Sequence, residues 1–223
     1  MTEPLVIVGA GGHGRETLDI VEAIDAHATG SGLTAPYDVL GFVADSADTD
    51  LLAARGQRLL GPVDSLSRHG AAYTLAIGMP WDRARVGRSL GADLAGAVAV
   101  CGPLVHPAAT LGAENLLAPG VLVAAGARIT TNVTLGAHTH LNVGAVVSHD
   151  CVLGDYVTLS PGALVNGSCP LGDEVFLGTG AIVLPGARIG PRARIAAGAV
   201  VPSDIPSDVT AIALTGSLVF LSL

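Results

Sequence analysis

The sequence predicts two joined units of different class: a small α/β domain with a parallel sheet over residues 1–103, and a solenoid of short parallel β-strands over residues 104–212, ending in a short apolar tail over 213–223. Three features point to this. Between Val105 and Val201 a Leu, Ile or Val recurs at every sixth position, seventeen times without an insertion or deletion. Gly or Pro fills many of the intervening places, as tight corners between short strands require. The first hundred residues lack this period. They open with an apolar run and a glycine-rich turn, the pattern of a buried parallel strand entering a helix.

Taken in order, Leu5–Val8 reads as the first strand, Gly9-Ala-Gly-Gly-His-Gly14 as its turn and Arg15–Ala28 as an amphipathic helix. Val39–Val43 is a second strand and Thr74–Ile77 a later one, with Asp82–Leu90 a helix between it and Ala97–Val100. Gly9, Gly11 and Gly14 match the dinucleotide fingerprint, in which bare backbone at a helix N-terminus approaches phosphate. About a hundred residues form only a Rossmann-like half domain, and no oxidoreductase substrate domain follows. The diphosphate of a nucleotide-sugar would use the same physics, with Gly9, Gly11, Gly12, His13 and Gly14 as the candidate contacts. A tight turn without a ligand is the alternative.

In the solenoid, the sixfold aliphatic position and a small or β-branched position four residues later both point into one narrow core. If three hexads make a triangular coil, residues eighteen apart stack at about 4.8 Å, the spacing of hydrogen-bonded strands. His149 then has Thr131 below and Gly167 above, with space beside a residue that has no side chain. Asp150 lies between Asn132 and Ser168, and His140 lies below Thr158 and Phe176. His149 and Asp150 are adjacent and outside both inward columns. An imidazole oriented by a carboxylate is a general-base pair, and a solvated corner is the other possibility.

The chain carries a net charge of −8, and its basic residues are all Arg, so no basic stripe exists to neutralise a nucleic acid. Cys101, Cys151 and Cys169 lack metal-ligand spacing, and His138, His140 and His149 fall at different hexad positions, so no metal is expected. Cys151 and Cys169 occupy inward places and read as core. An odd number of cysteines and no signal peptide point to a reducing cytoplasm. No membrane partner is expected, because Leu214–Leu223 is too short to cross a bilayer and reads instead as packing on the open end of the solenoid.

At these residues the chain resembles the hexapeptide-repeat, left-handed β-helix sugar acetyltransferases, and specifically the bacillosamine-pathway and perosamine N-acetyltransferases and the sialic acid O-acetyltransferases. The segments that carry the likeness are Val8–Arg15, Gly41-Phe-Val before Asp45, Val105–Ala108 and above all Leu141-Asn-Val-Gly-Ala-Val-Val-Ser-His-Asp-Cys-Val-Leu-Gly154. The resemblance implies a left-handed parallel β-helix, a homotrimer, and acetyl-CoA bound between neighbouring solenoids. It also implies an acceptor sugar presented by the N-terminal domain. By likeness His149 is the general base, Asp150 assists it, Asn142 lies near the acceptor and the place of Thr158 touches the cofactor; the stacking agrees, since Gly167 above His149 leaves room for a thioester and offers the cofactor its N–H. Relatives often have His where this chain has Thr158, and His140 one coil below is expected to take over that contact. Asp45 stands where relatives carry paired acids for the nucleotide, Met79-Pro80 replaces an Asp-Asn pair, and Ala213–Ser217 replaces a terminal Gly-Asn-Pro-Ala. The implied activity is acetyl transfer from acetyl-CoA to a nucleotide-linked amino sugar. The alternatives are O-acetylation of the sialic acid type and a noncatalytic solenoid scaffold or sugar-binding protein.

Overall fold

The computed structural model describes residues 2–94, 98–214 and 217–222. The N-terminal unit runs β1 (Glu3–Val8), α1 (Gly12–Gly30), β2 (Tyr37–Val43), α2 (Thr49–Ala53), β3 (Leu59–Gly61), β4 (Ala72–Leu75) and α3 (Pro80–Leu94). Its sheet is wholly parallel in the order β3-β2-β1-β4. Leu5, Ile7, Val6 and Val8 of the central β1 are fully buried, which explains the unbroken apolar run. Helix α1 starts three residues before the expected Arg15. The expected Ala97–Val100 strand contributes one parallel bridge, Val100 to Tyr73, and Ala97 lies outside the described residues.

The glycine turn divides by cause. Gly9 adopts φ +108°, and a Cβ there would stand 2.7 Å from the Ala76 carbonyl oxygen. A Cβ on Gly14 would run into the Gly9 carbonyl. These two glycines are demanded by the strand-to-helix crossing itself. Gly11 and Gly12 have nothing within 4 Å of a notional Cβ, so packing does not explain them.

The solenoid consists of two-residue strands on three parallel sheets, paired in register eighteen residues apart, for example Leu141 with Leu159 and Val147 with Val165. The aliphatic and small positions together form one core from Val121 to Ala211. Cys151 and Cys169 belong to it and Cys101 is also buried; desolvation pushes the Cys151 and Cys101 thiols up to about 11. Only the last coil breaks the count, where Ile195 pairs with Ala211 and Ile189 with Ile205. The terminal segment lies at the open end, where it extends one sheet past the last coil. Val209–Leu214 joins an edge as a parallel strand and Ser217–Ser222 folds back antiparallel on it, leaving Phe220 and Leu221 exposed. The rest of that expected tail lies outside the described residues.

Each coil turns through left-handed corners. One corner column is glycine throughout (Gly126, Gly144, Gly162, Gly180, Gly198), and another carries Glu114, Asn132, Asp150 and Ser168 at φ near +60°. The N-terminal domain lies against the sheet that holds His140 and Thr158. Ile20 and Val21 of α1 pack with Leu104 and Leu122, and Trp81 of α3 meets Phe176 at a tilt of 60°, with the Arg194 guanidinium over the indole, 3.9 Å from its centroid.

Candidate active site

His149 and Asp150 close a corner of the solenoid. The left-handed backbone at Asp150 turns its carboxylate back on the preceding residue, so Nδ1 of His149 donates to Oδ2 of Asp150 at 2.7 Å. Oδ1 of the same carboxylate accepts from the Asn132 amide, one coil below, at 2.6 Å. These two hydrogen bonds, Asn132 first, hold the Asp150 carboxyl below its ordinary range, so the group stays anionic and fixes the Nδ1–H tautomer. Nε2 is then the basic nitrogen. The ring is 59% exposed.

Gly167 contributes differently from expectation. A Cβ there would stand 2.4 Å from Cε1 and 2.5 Å from Nε2 of His149, so the missing side chain makes room for the imidazole itself.

Thr158 and His140, expected to face the cofactor, are buried under the N-terminal domain at 2% and 1% exposure. Both point outward from the sheet that the domain covers. The Thr158 hydroxyl donates to the Gly78 carbonyl at 3.1 Å and accepts from Arg83 at 2.8 Å. His140 is not placed to replace it. Its Nδ1 lies 3.0 Å from Nε2 of His13, whose own Nδ1 is 3.1 Å from Glu16. If His13 donates to the carboxylate, its Nε2 accepts from His140, and the buried Nε2 of His140 has no partner. His13, expected to contact substrate through the ring, therefore has both nitrogens engaged within the chain. Desolvation and the nearby Arg83 charge drive His140 well below the usual imidazole range and His138 down to about 4; His13 is lowered chiefly by burial. The cluster is neutral.

Beside these rings a cavity of about 190 Å³ opens between α1 and the solenoid, with Asn142, Leu141, Val143 and Leu122 on one wall and Glu16 and Asp19 on the other. Asn142 donates to the Leu159 carbonyl at 2.8 Å. It stands at one edge of the sheet formed by Val146 and its stacked neighbours, and His149 at the other edge, so the two do not share a pocket within one chain. A separate cleft of about 380 Å³ lies at the C-terminal ends of the parallel strands, where Gly9, Ala10, Asp45, Ser46, Asp82 and Arg85 meet. Such strand ends are where open α/β sheets bind ligands. Asp45 also accepts from the Val63 amide at 3.2 Å.

The residue that sequence reasoning missed is Arg83. It is fully buried and donates to the carbonyls of Ile77, Gly78, His138, Tyr156 and Val157 as well as to Thr158. With no carboxylate beside it, desolvation lowers it to about 9. A single Arg in an amphipathic helix gives no sign in one sequence that it will be a bolt between two domains. Among the described residues no three His, Cys, Asp or Glu side chains are grouped to hold a metal, and no helix is long and apolar enough to cross a membrane.

Residues 4–90 match the family model of the PglD N-terminal domain, and residues 171–203 match that of the bacterial transferase hexapeptide (six repeats). Among solved structures, the chain is similar to PerB from Caulobacter crescentus in complex with CoA and GDP-perosamine, at 31% identity over 96% of both chains with a TM-score of 0.79. It is also similar to the acetyltransferase domain of PglB from Neisseria gonorrhoeae in complex with acetyl coenzyme A, at 28% identity over 99% of this chain and 100% of that one (TM-score 0.81). WeeI from Acinetobacter baumannii is similar at 27% identity, 99% and 100% coverage and a TM-score of 0.78. None of the curated proteins matches.

Proposed function

Because the chain belongs to the hexapeptide-repeat sugar acetyltransferases with a PglD-type N-terminal domain, and is thus an acetyl-CoA-dependent acyltransferase, we propose that it N-acetylates an amino sugar carried on a nucleotide, with His149 as general base. The observation that carries this is the His149–Asp150 pair, an exposed imidazole whose Nδ1–H is held by an anionic carboxylate and whose Nε2 is left to accept a proton. In this reading the acceptor amine attacks the thioester carbonyl directly while Nε2 removes its proton, a contribution typically of order 10² to 10⁴ in rate. The Gly167 N–H makes no hydrogen bond among the described residues and would serve the developing oxyanion. Collapse of the tetrahedral adduct expels the CoA thiolate, which takes up the proton from His149. No acyl-enzyme forms, since Cys151 faces the core with its thiol pushed up to about 11.

The α1 cavity suits the acceptor. Glu16 and Asp19 complement an ammonium, and the aliphatic wall suits the apolar face of a sugar ring. This acidic lining favours an amine over a hydroxyl acceptor. The cleft at Gly9 and Asp45 suits the nucleotide diphosphate, with the open backbone at Gly11 and Gly12 nearby. A homotrimer would unite Asn142 of one copy with His149 of the next. In support, the outward column Val146, Leu164, Ile182 and Val200 is apolar over four successive coils where a solvated face would be polar. We place the enzyme in the cytoplasm, where its three buried thiols stay reduced.

His149→Ala should abolish acetyl transfer to amine acceptors, measured by thiol release and mass spectrometry, while leaving the folded assembly intact. Retained transfer would overturn the base assignment, and acetylated hydroxyl products would replace N- by O-acetylation.

A further inference from the structure

We infer that Asn132 is a positioning residue for the transfer, donating to one oxygen of Asp150 so that the other stays on Nδ1 of His149. Asn132 lies one full coil below Asp150, and its amide reaches across the coil spacing to Oδ1 at 2.6 Å, while Oδ2 receives Nδ1 of His149 at 2.7 Å. The carboxylate is therefore held at both oxygens. Without the lower bond it is half exposed and free to rotate about χ2, presenting either oxygen or neither to the ring.

Residue type and backbone agree with the role. Asn132 has φ +58° and Asp150 φ +61°, a conformation that Asn and Asp tolerate better than other side chains, so both face the same way from stacked corners. The neighbouring Thr131 spends its hydroxyl on the Ala113 carbonyl and leaves the carboxylate alone. An uncharged amide also holds Asp150 without neutralising it. A cation at this place would compete for the charge that stabilises the imidazolium formed during transfer; a carboxylate would repel it. The inference rests on His149 being the base, but the tautomer it predicts does not.

The test compares wild type with Asn132→Gly, which keeps the left-handed backbone comfortable, and Asn132→Asp, which removes the donor in the same shape. Both variants should lose about tenfold in kcat with the KM for acetyl-CoA unchanged. In an Asp150→Asn background the Gly substitution should cost nothing further, because Asn132 acts only through that carboxylate. Nitrogen-15 NMR of the His149 ring should show the Nδ1–H tautomer in wild type and a mixture in Asn132→Gly. Unchanged kcat, an equal loss in both backgrounds, or an unaltered ring tautomer would overturn the inference. If His149→Ala were still active, the base assignment would fail, whereas the NMR result would continue to decide whether Asn132 sets the tautomer.

Discussion

Gly167→Ala probes the site through a single methyl group. The Cβ would stand 2.4 Å from Cε1 of His149, whereas carbon atoms settle at roughly 3.5–4.0 Å, so the ring must retreat by about 1 Å or more. The backbone at Gly167 is outside the left-handed region, which means alanine itself is unstrained there. With 59% of its side chain in solvent the ring has somewhere to go, and stability should change by less than about 1 kcal/mol. Retreat pulls Nδ1 off Asp150 and moves Nε2 from its station. Misplacement by about 1 Å can cost on the order of 10²-fold in rate, so kcat should fall by that order. Steady-state thiol release gives kcat, calorimetry with CoA checks the donor site, and thermal unfolding checks the fold. Wild-type kcat in a folded Gly167→Ala protein would refute the placement of the ring over Gly167, or its role as base.

Two further outcomes follow from the domain junction. Arg83→Met leaves the carbonyls of His138 and Tyr156 without a donor, whereas Val157 keeps the His140 N–H; at about 1–3 kcal/mol for each buried group left unsatisfied, urea unfolding should show a loss of roughly 2 kcal/mol or more. Lys should not rescue it, since one ammonium cannot span the acceptors that the guanidinium fork bridges, and a Lys variant of full stability would refute the bolt. Stability should also fall on acidification. His138 takes up its proton near 6.5 when unfolded but near 4 when folded, so the unfolded state binds more protons between those values. Stability is complete above pH 6.5 and declines towards pH 4, by at most about 1.4 kcal/mol per pH unit for this residue. Lowered His140 and His13 act in the same direction. A urea midpoint that stays flat from pH 7 to pH 5 would contradict neutral burial of the cluster.

The solenoid was legible because its core admits two residues per strand at a fixed period, so each aliphatic in the sequence names its own stack. His149 and Asp150 are neighbours in the chain, and the stacking of Asp150 on Asn132 follows from the period alone. Short elements were not legible: β3 has three residues and α2 five, too few to show a pattern. Thr158 and His140 were misjudged for a related reason. The period says that they point outward, but not that another domain covers that face.

Sequence by itself therefore determined the coil, its core and the corner that bears the imidazole, because each is fixed by spacing along the chain. Tertiary structure decided which face the N-terminal domain covers, and with it the burial of Arg83, the pairing of His13 with His140 and the real use of Gly167. These depend on close contact between segments far apart in sequence, where a few tenths of an ångström separate a filled gap from an open one, and no periodicity encodes that distance.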